Sequence, residues 1–386
     1  MTAGRFLPYS RQEIDESDIE AVVEVLRSDF LTTGPRVGAF EDAFATAVGA
    51  KHAIAVSNGT AALHAAVHAA GVSKNDEVIV PPITFVATAN CVAYCGATPV
   101  FADVLPETLL LDPSQVEARI TDRTRAIICV DFAGQPCDYD ALRELARKRG
   151  LVLIADACHS LGGSHRGRLV GTLADLNTFS FHPVKAIATG EGGMVTTEDD
   201  EFDRKIRAFR NHGITADHSQ RSAAGTFEYQ MLSLGYNYRI TDFQCALGQS
   251  QLRKLPGFLE KRRMLAQCYD RVLADIPWVR PLGRAIDVEH AYHLYVVLLD
   301  TEALGMDRDR AFRELRAGNI GVNVHYKPVH LQPFYQYEYG TRSGDCPVAE
   351  AAFDQLLTLP LHPGMSSDDL EDVVRALRRL DPQGVV

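Results

Sequence analysis

The first half of the chain alternates between short apolar runs and stretches of helical character, and this alternation restricts the fold more than any other feature. Helical stretches such as 60–70 and 139–149 separate the apolar runs. Runs that are apolar throughout are typical of parallel strands covered on both faces. The sequence therefore predicts an α/β fold with a mostly parallel sheet, with strands at Ala53–Val56, Glu77–Val80, Pro99–Ala102, Ala126–Val130 and Leu151–Ala155.

The second half has a different pattern. A long helix is predicted at Asp242–Ala274, with a break at Pro256-Gly257. It is followed by an antiparallel strand, an amphipathic helix and a short strand, predicted at Tyr292–Leu299, at Arg308–Ala317 and ending near Val324.

The length of 386 residues exceeds what one small core accommodates, so two domains are predicted. The first is a large α/β domain at 1–250 that includes the N-terminal arm, and the second is a smaller α+β domain at 251–386. The polar, glycine-containing stretch 218–226 fits either an ordered lid or a mobile loop.

Composition and charge argue against several classes of protein. The net charge is −11 and the basic residues are scattered, unlike the basic patches that bind nucleic acid or anionic membranes. No apolar run reaches the roughly 18 residues that a membrane-spanning helix needs, and the N-terminus has no signal-peptide core. Cys91 and Cys95 lack further ligands at supporting spacing. We therefore expect no nucleic-acid or membrane partner, no metal site and a cytoplasmic location.

One lysine, Lys185, lies between an aromatic and aliphatic run and a glycine-rich loop, within NTFSFHPVKAIATGEGG at 177–193. The next charged residue is Glu191. If burial lowers its pKa, the amine can attack a carbonyl and form a Schiff base. A salt-bridged lysine at a strand end is the alternative, and this feature alone does not decide between them.

Three further features follow predicted strands at one edge of the sheet. Asp156 ends the run LVLIADA, where a carboxylate can pair with a protonated pyridine nitrogen. The segment Ser57–Thr60 precedes a helix whose amides and dipole favour a phosphate. Phe85 offers a flat apolar face for a planar ring. Taken singly, the first two also fit helix caps and Phe85 also fits a core position.

Together, an amine, a partner for a ring nitrogen, a phosphate cradle and a stacking face predict a site for pyridoxal 5'-phosphate. The glycine-rich ATGEGG does not fit a nucleotide phosphate loop, because no Lys-Ser/Thr follows its glycines. Its glycines instead predict a tight turn beside the cofactor.

At these residues the chain resembles the DegT/StrS family of sugar-nucleotide aminotransferases. The resemblance implies the fold of the type I (aspartate aminotransferase-like) pyridoxal phosphate-dependent transferases. The matching motifs follow the family's order over nearly the whole chain: LTTGP (31–35), SNGTAALH (57–64), ITFVATAN (83–90), DFAGQPCD (131–138), DACHSLG (156–162), FSFHPVK (179–185), TGEGG (189–193), GYNYR (235–239) and VHYKPVHLQPFY (324–335).

The resemblance implies roles for individual residues. Lys185 would attach to the cofactor and move the proton at the amino-bearing carbon, and Asp156 would bind the pyridine nitrogen. The other implied cofactor contacts are Phe85 on the ring, His159 near the phenolic oxygen, and Thr60, the Ala61 amide and Ser180 on the phosphate. Asn237 would reach the phosphate of the neighbouring subunit, which implies a homodimer with active sites at the subunit interface.

The substrate is also implied only by resemblance. Relatives that dehydrate sugars replace the lysine with histidine, so Lys185 favours transamination. FSFHPVK, FAGQPCD and VHYKPVHLQPFY look most like a subgroup that acts in pseudaminic acid biosynthesis. That subgroup transfers an amino group from glutamate to C4 of a UDP-linked 4-keto-6-deoxy-N-acetyl-hexosamine, giving UDP-4-amino-4,6-dideoxy-N-acetyl-β-L-altrosamine.

The alternatives are a GDP- or TDP-linked keto sugar, a cyclitol ketone, and a non-catalytic regulatory relative. Asp131 departs from the subgroup, which has histidine there, and Ala186 and Ala188 replace its usual residues after the lysine. A pyrophosphate calls for cationic and polar donors. The predicted substrate contacts are Tyr9, Thr32, Arg239, His325, Tyr326 and His330, each of which equally fits an interface or core position.

Overall fold

The computed structural model describes residues 5–216, 221 and 224–380, so part of the predicted loop at 218–226 lies outside the described residues. Strands are numbered in chain order as β1 His52–Val56, β2 Glu77–Val80, β3 Thr98–Phe101, β4 Thr124–Val130, β5 Val152–Asp156, β6 Ser164–His165, β7 Arg168–Leu169, β8 Leu176–Ser180, β9 Gly193–Thr197, β10 Val279–Pro281, β11 Val288–Glu289, β12 Tyr295–Leu299 and β13 Leu356–Leu359.

The helices of the described residues, also numbered in chain order, are α1 Glu16–Leu26, α2 Pro35–Val48, α3 Gly59–Ala69, α4 Ala87–Tyr94, α5 Pro113–Arg119, α6 Tyr139–Arg149, α7 Asp200–Arg210, α8 Asp242–Leu273, α9 Thr301–Leu304, α10 Arg308–Ala317, α11 Pro333–Tyr339, α12 Pro347–Phe353 and α13 Ser367–Arg378. Short 3-10 turns lie at Phe132–Gly134 and Val329–Leu331.

A seven-stranded sheet with the order β1-β9-β8-β5-β4-β2-β3 forms the centre of the structure. Neighbouring strands are parallel except at β9, which runs antiparallel to both β1 and β8. Every residue of β2 and β9 is buried, and α3 and α6 pack against the sheet. These observations confirm the α/β class and the strands predicted from continuous apolar runs.

A second apolar cluster lies around the antiparallel sheet β10-β12-β13. It includes Leu265 and Leu273 from the second half of α8, and residues of α10 and α13. Leu7 belongs to the same cluster and pairs with Ile320, so the N-terminal arm packs on the C-terminal part of the chain. Since α8 runs through residue 250, the domain division at that position stays a prediction.

Two predictions of local structure are wrong. The helix α8 continues through Pro256 without a break. Its neighbours Leu252, Leu255 and Leu259 are buried, and this packing outweighs the hydrogen bond that proline cannot donate. The predicted strand near Val324 is a single antiparallel bridge between Asn323 and Thr358, because the chain leaves the sheet there to line a cavity.

Among residues 5–216, 221 and 224–380, no helix is both long and apolar enough to cross a membrane. The same residues include no group of three or more His, Cys, Asp or Glu side chains arranged to hold a metal ion.

Candidate active site

A cavity of about 1050 Å³ opens at the carboxyl ends of the parallel strands. Asp156 is the last residue of β5, and Ser180 is the last residue of β8. The cavity brings together ten of the residues predicted from the sequence: Tyr9, Thr60, Ala61, Phe85, Asp156, His159, Ser180, Lys185, His325 and Tyr326. The edge of a parallel sheet thus collects side chains that are far apart in the sequence.

Lys185 lies in the connection between β8 and β9, where its backbone amide donates to the carbonyl of His182 at 2.8 Å. The residue is half-buried and lines the cavity. Burial lowers the pKa of Lys185 and outweighs the opposite effect of nearby acidic groups such as Asp156. The neutral amine, which is the nucleophilic form, is therefore more accessible here than on a surface lysine.

Asp156 is buried and fixed by Thr88, whose Oγ1 donates to Oδ2 of Asp156 at 2.6 Å. The backbone amide of Cys158 donates to the other carboxylate oxygen at 3.3 Å. Sequence reasoning missed Thr88, although it lies in the ITFVATAN motif three residues after Phe85. That spacing places both residues near the start of α4, which is the signal that would have found it.

The first turn of α3 forms one wall of the cavity beside Ser180. A Cβ at Gly59 would lie 2.8 Å from the Cβ of Ser180, so only glycine fits this close approach. The amide of Ala61 donates to the side chain of Asn58 at 2.8 Å, which caps the helix. The Ala61 amide, which the sequence analysis assigns to the phosphate, is thus already bonded to Asn58. Its contact with the phosphate stays a prediction, and it requires the hydrogen bond to Asn58 to break.

A group of aromatic and histidine side chains lines the same cavity as Lys185. The hydroxyl of Tyr326 lies 3.2 Å from Nε2 of His159, and the rings of His159 and His293 are 4.4 Å apart. Burial, reinforced by the charge of Lys185, lowers the pKa of His159 and lowers that of His325 to about 3. Both imidazoles are therefore neutral at neutral pH. Sequence reasoning also missed His293, which comes from the C-terminal half of the chain.

Four predicted site residues are not among those that line this cavity in the described part of the chain. His330 is fully buried and its Nε2 lies 2.9 Å from Oε1 of Glu350, and its contact with substrate stays a prediction. Thr32 pairs with Thr241, and Asn237 pairs with Asn211. Arg239 donates to Oδ1 of Asn211 at 2.7 Å and lines a separate cavity of about 910 Å³.

The model of the DegT/DnrJ/EryC1/StrS aminotransferase family matches residues 12–378. The chain belongs to this family. It is a pyridoxal phosphate-dependent sugar aminotransferase, as its homologues and structural neighbours are.

Two similar proteins illustrate the range of the family. Over 377 residues, covering 97% of each chain, this aminotransferase is 42% identical to the spore coat polysaccharide biosynthesis protein SpsC of Bacillus subtilis. Its structure resembles that of Helicobacter pylori PseC, an aminotransferase involved in the biosynthesis of pseudaminic acid, with a TM-score of 0.91 and 32% identity. That alignment covers 98% of this chain and 100% of PseC.

The residues of the cavity fit pyridoxal phosphate by their chemistry. A hydroxyl at Thr60, a hydroxyl at Ser180 and the amino end of α3 meet where Gly59 leaves no room for a side chain, which suits a phosphate. The fixed carboxylate of Asp156 suits a protonated ring nitrogen, and the half-exposed ring of Phe85 suits a planar ligand.

Proposed function

We propose that this aminotransferase transfers the amino group of glutamate to C4 of a UDP-linked 4-keto-6-deoxy-N-acetyl-hexosamine, giving UDP-4-amino-4,6-dideoxy-N-acetyl-β-L-altrosamine in the cytoplasm. The observation that carries the proposal is the likeness to PseC over nearly the whole of both chains. The cavity of about 1050 Å³ is also large enough for a cofactor together with a sugar nucleotide.

Lys185 has the central role in the proposed mechanism. When bound, pyridoxal phosphate supplies a carbonyl that accepts amines and a ring that delocalises electrons. Lys185, with its lowered pKa, takes a proton from the amino-bearing carbon of glutamate and returns one at the sugar C4. Asp156 keeps a proton on the ring nitrogen, and Thr88 holds Asp156 in position for this. Neutral His159 and Tyr326 orient the cofactor without adding charge.

We further propose that the active unit is a homodimer. Five side chains in the segment 227–234 are more than half exposed and apolar or aromatic: Phe227, Tyr229, Met231, Leu232 and Leu234, here called the apolar strip. An exposed apolar patch of this kind is typical of a protein interface. A second copy covering the strip would carry Asn237, three residues beyond Leu234, towards the neighbouring active site.

The likeness to SpsC supports a second candidate, the amination of a different keto sugar used in a cell-surface polysaccharide. The two candidates share the chemistry of Lys185 and differ only in the acceptor. A panel of acceptors separates them: the purified enzyme, glutamate and pyridoxal phosphate are incubated with UDP-, TDP- or GDP-linked 4-keto-6-deoxy sugars, and amino sugars are detected by mass spectrometry.

Product from the UDP-linked N-acetyl sugar at a rate well above the others supports the first proposal. Product only from TDP- or GDP-linked sugars supports the second. The release of 2-oxoglutarate from glutamate, measured without any sugar, shows in each case that the enzyme is active.

A further inference from the structure

Asp131 is a buried carboxylate one residue beyond the end of β4, beside the site but outside the cavity lining. Its backbone amide donates to the carbonyl of Asp156 at 3.2 Å, so the two aspartates lie on adjacent strand ends. The chain's proposed mechanism assigns Asp131 no role. A wholly buried carboxylate is costly unless its oxygens are hydrogen-bonded.

Three donors satisfy the two carboxylate oxygens of Asp131. The hydroxyl of Tyr139 lies 2.9 Å from both oxygens. The amide of Cys137 donates to Oδ1 at 2.9 Å, and the hydroxyl of Ser160 donates to Oδ2 at 2.6 Å. Within the described residues, no arginine, lysine or histidine forms an ion pair with this carboxylate. Hydroxyls and one amide therefore hold the group.

The bond to Ser160 connects Asp131 directly to the active site. Ser160 is fully buried and follows His159, which lines the cavity beside Tyr326. The turn that carries both residues starts at Cys158, two residues after Asp156 ends β5. A movement of Ser160 therefore moves the imidazole of His159 relative to Asp156.

The 3-10 turn after Asp131 makes a second connection. Gly134 has a φ of +106°, and a Cβ there would lie 2.8 Å from the carbonyl oxygen of His159 and 2.9 Å from the amide of His293. The amide of Leu294 donates to the carbonyl of Ala133 at 3.1 Å. The turn is thus packed between the segments that carry His159 and His293, whose rings are tilted by 45° to each other.

We propose that Asp131 is a positioning residue that fixes His159 against the cofactor site by holding Ser160 and the 3-10 turn in place. This inference rests on the proposed assignment of His159 to the cofactor. Burial raises the pKa of Asp131 to about 6, against the effect of its hydrogen bonds. The titratable groups that face it are Asp156, Tyr139 and Cys137.

The test compares Asp131→Asn and Ser160→Ala with Asp103→Asn. Asp103 is a matched control, since it is also a buried aspartate beyond a strand end, and it accepts the amides of Val348 and Ala349 at 2.8 and 3.0 Å. It does not line the cavity. For each full-length variant we would measure the dissociation constant of pyridoxal phosphate, the pH titration of its absorbance and the melting temperature.

Asp131→Asn and Ser160→Ala are each expected to weaken cofactor binding by about tenfold, the effect of losing one hydrogen bond to a charged group. Both variants are also expected to shift the midpoint of the pH titration of the cofactor absorbance, and in the same direction as each other. Their double variant is expected to show less than the summed effect, because both changes break one connection. Asp103→Asn is expected to lower the melting temperature and to leave the cofactor affinity and the absorbance titration unchanged.

The proposal is overturned if Asp131→Asn and Ser160→Ala behave like Asp103→Asn, with altered melting and an unchanged titration and cofactor affinity. His159→Ala serves as a reference for the site itself. If that variant leaves the absorbance unchanged, the assignment of His159 is wrong and the proposal falls with it. If His159→Ala changes the absorbance and Asp131→Asn does not, the positioning role alone is refuted.

Discussion

The hydroxyl of Thr88 donates to Oδ2 of Asp156 at 2.6 Å, so a residue at the start of one helix orients the carboxylate at the end of the central strand. Among the residues that the structure describes, the sole donor to Oδ1 is the amide of Cys158, at the longer distance of 3.3 Å. Thr88 therefore leaves Oδ1 as the oxygen available to a protonated ring nitrogen.

Replacing Thr88 with valine removes this hydrogen bond and keeps the shape of the side chain. Because a hydrogen bond to a charged group contributes about 1.5–3 kcal/mol, we expect pyridoxal phosphate to bind about tenfold more weakly. Fluorescence titration of the apoenzyme with the cofactor measures the change. Thr46→Val, in which an exposed threonine on α2 is changed, is the control. Equal affinity in both variants would show that Thr88 does not orient Asp156.

A charge placed in the apolar strip is expected to separate the proposed dimer. Leu234 is 77% exposed in the single chain, and Leu234→Asp would bury an unpaired carboxylate in the interface. We expect a monomer by analytical ultracentrifugation and activity lower by about tenfold or more, since Asn237 would no longer reach its neighbour.

Tyr337→Asp provides the comparison for the dimer experiment. Tyr337 lies on α11 outside the strip and is 86% exposed, so its replacement is expected to change neither mass nor activity. A Leu234→Asp variant that stays dimeric and fully active would place the interface elsewhere.

The pair Glu350 and His330 is expected to make stability depend on pH under acidic conditions. Burial acts to raise the pKa of Glu350, but hydrogen bonds from Ser343, His330 and the amides of Gly344 and Cys346 outweigh it and lower the pKa to about 2. A lowered pKa in the folded state stabilises the protein above the ordinary value of 4.5, and this contribution disappears as the pH falls from 4.5 towards 2.

Urea unfolding at several pH values between 6 and 3 tests this expectation. Glu350→Gln removes the titrating group, so its free energy of unfolding is expected to fall less steeply over that range, by about 1–2 kcal/mol. Glu371→Gln, on the exposed face of α13, is the control. Parallel curves for the wild type and Glu350→Gln would contradict the assigned pKa.

The parts of this molecule that follow from local sequence could be predicted. The strands were recognised because both faces of the sheet are covered, so that runs such as Glu77–Val80 are buried throughout. Lys185, Asp156 and Phe85 were found because functional side chains of α/β proteins follow strand ends.

Contacts between distant segments could not be predicted in the same way. His293 meets His159 only because the C-terminal half folds back over the turn at 132–134, and its sequence surroundings resemble those of any buried strand. The antiparallel direction of β9 is set by its pairing with β1 and β8. The pattern of apolar residues in the sequence does not specify which strands pair or in which direction. The continuous helix at Pro256 likewise reflects tertiary packing that overrides a local preference.

The role of Lys185 is tested most directly by the half-reaction with glutamate. Wild-type enzyme loaded with pyridoxal phosphate is mixed with glutamate in a stopped-flow spectrometer, and the cofactor absorbance and 2-oxoglutarate are followed. The same measurement is made on Lys185→Ala and on Lys148→Ala, a surface control that pairs with Glu117. We predict that Lys185→Ala slows the half-reaction by about 10³-fold or more, because Lys185 is the only lysine among the described residues that line the cavity, while Lys148→Ala matches the wild type. A Lys185→Ala enzyme that reacts with glutamate at the wild-type rate would contradict the account.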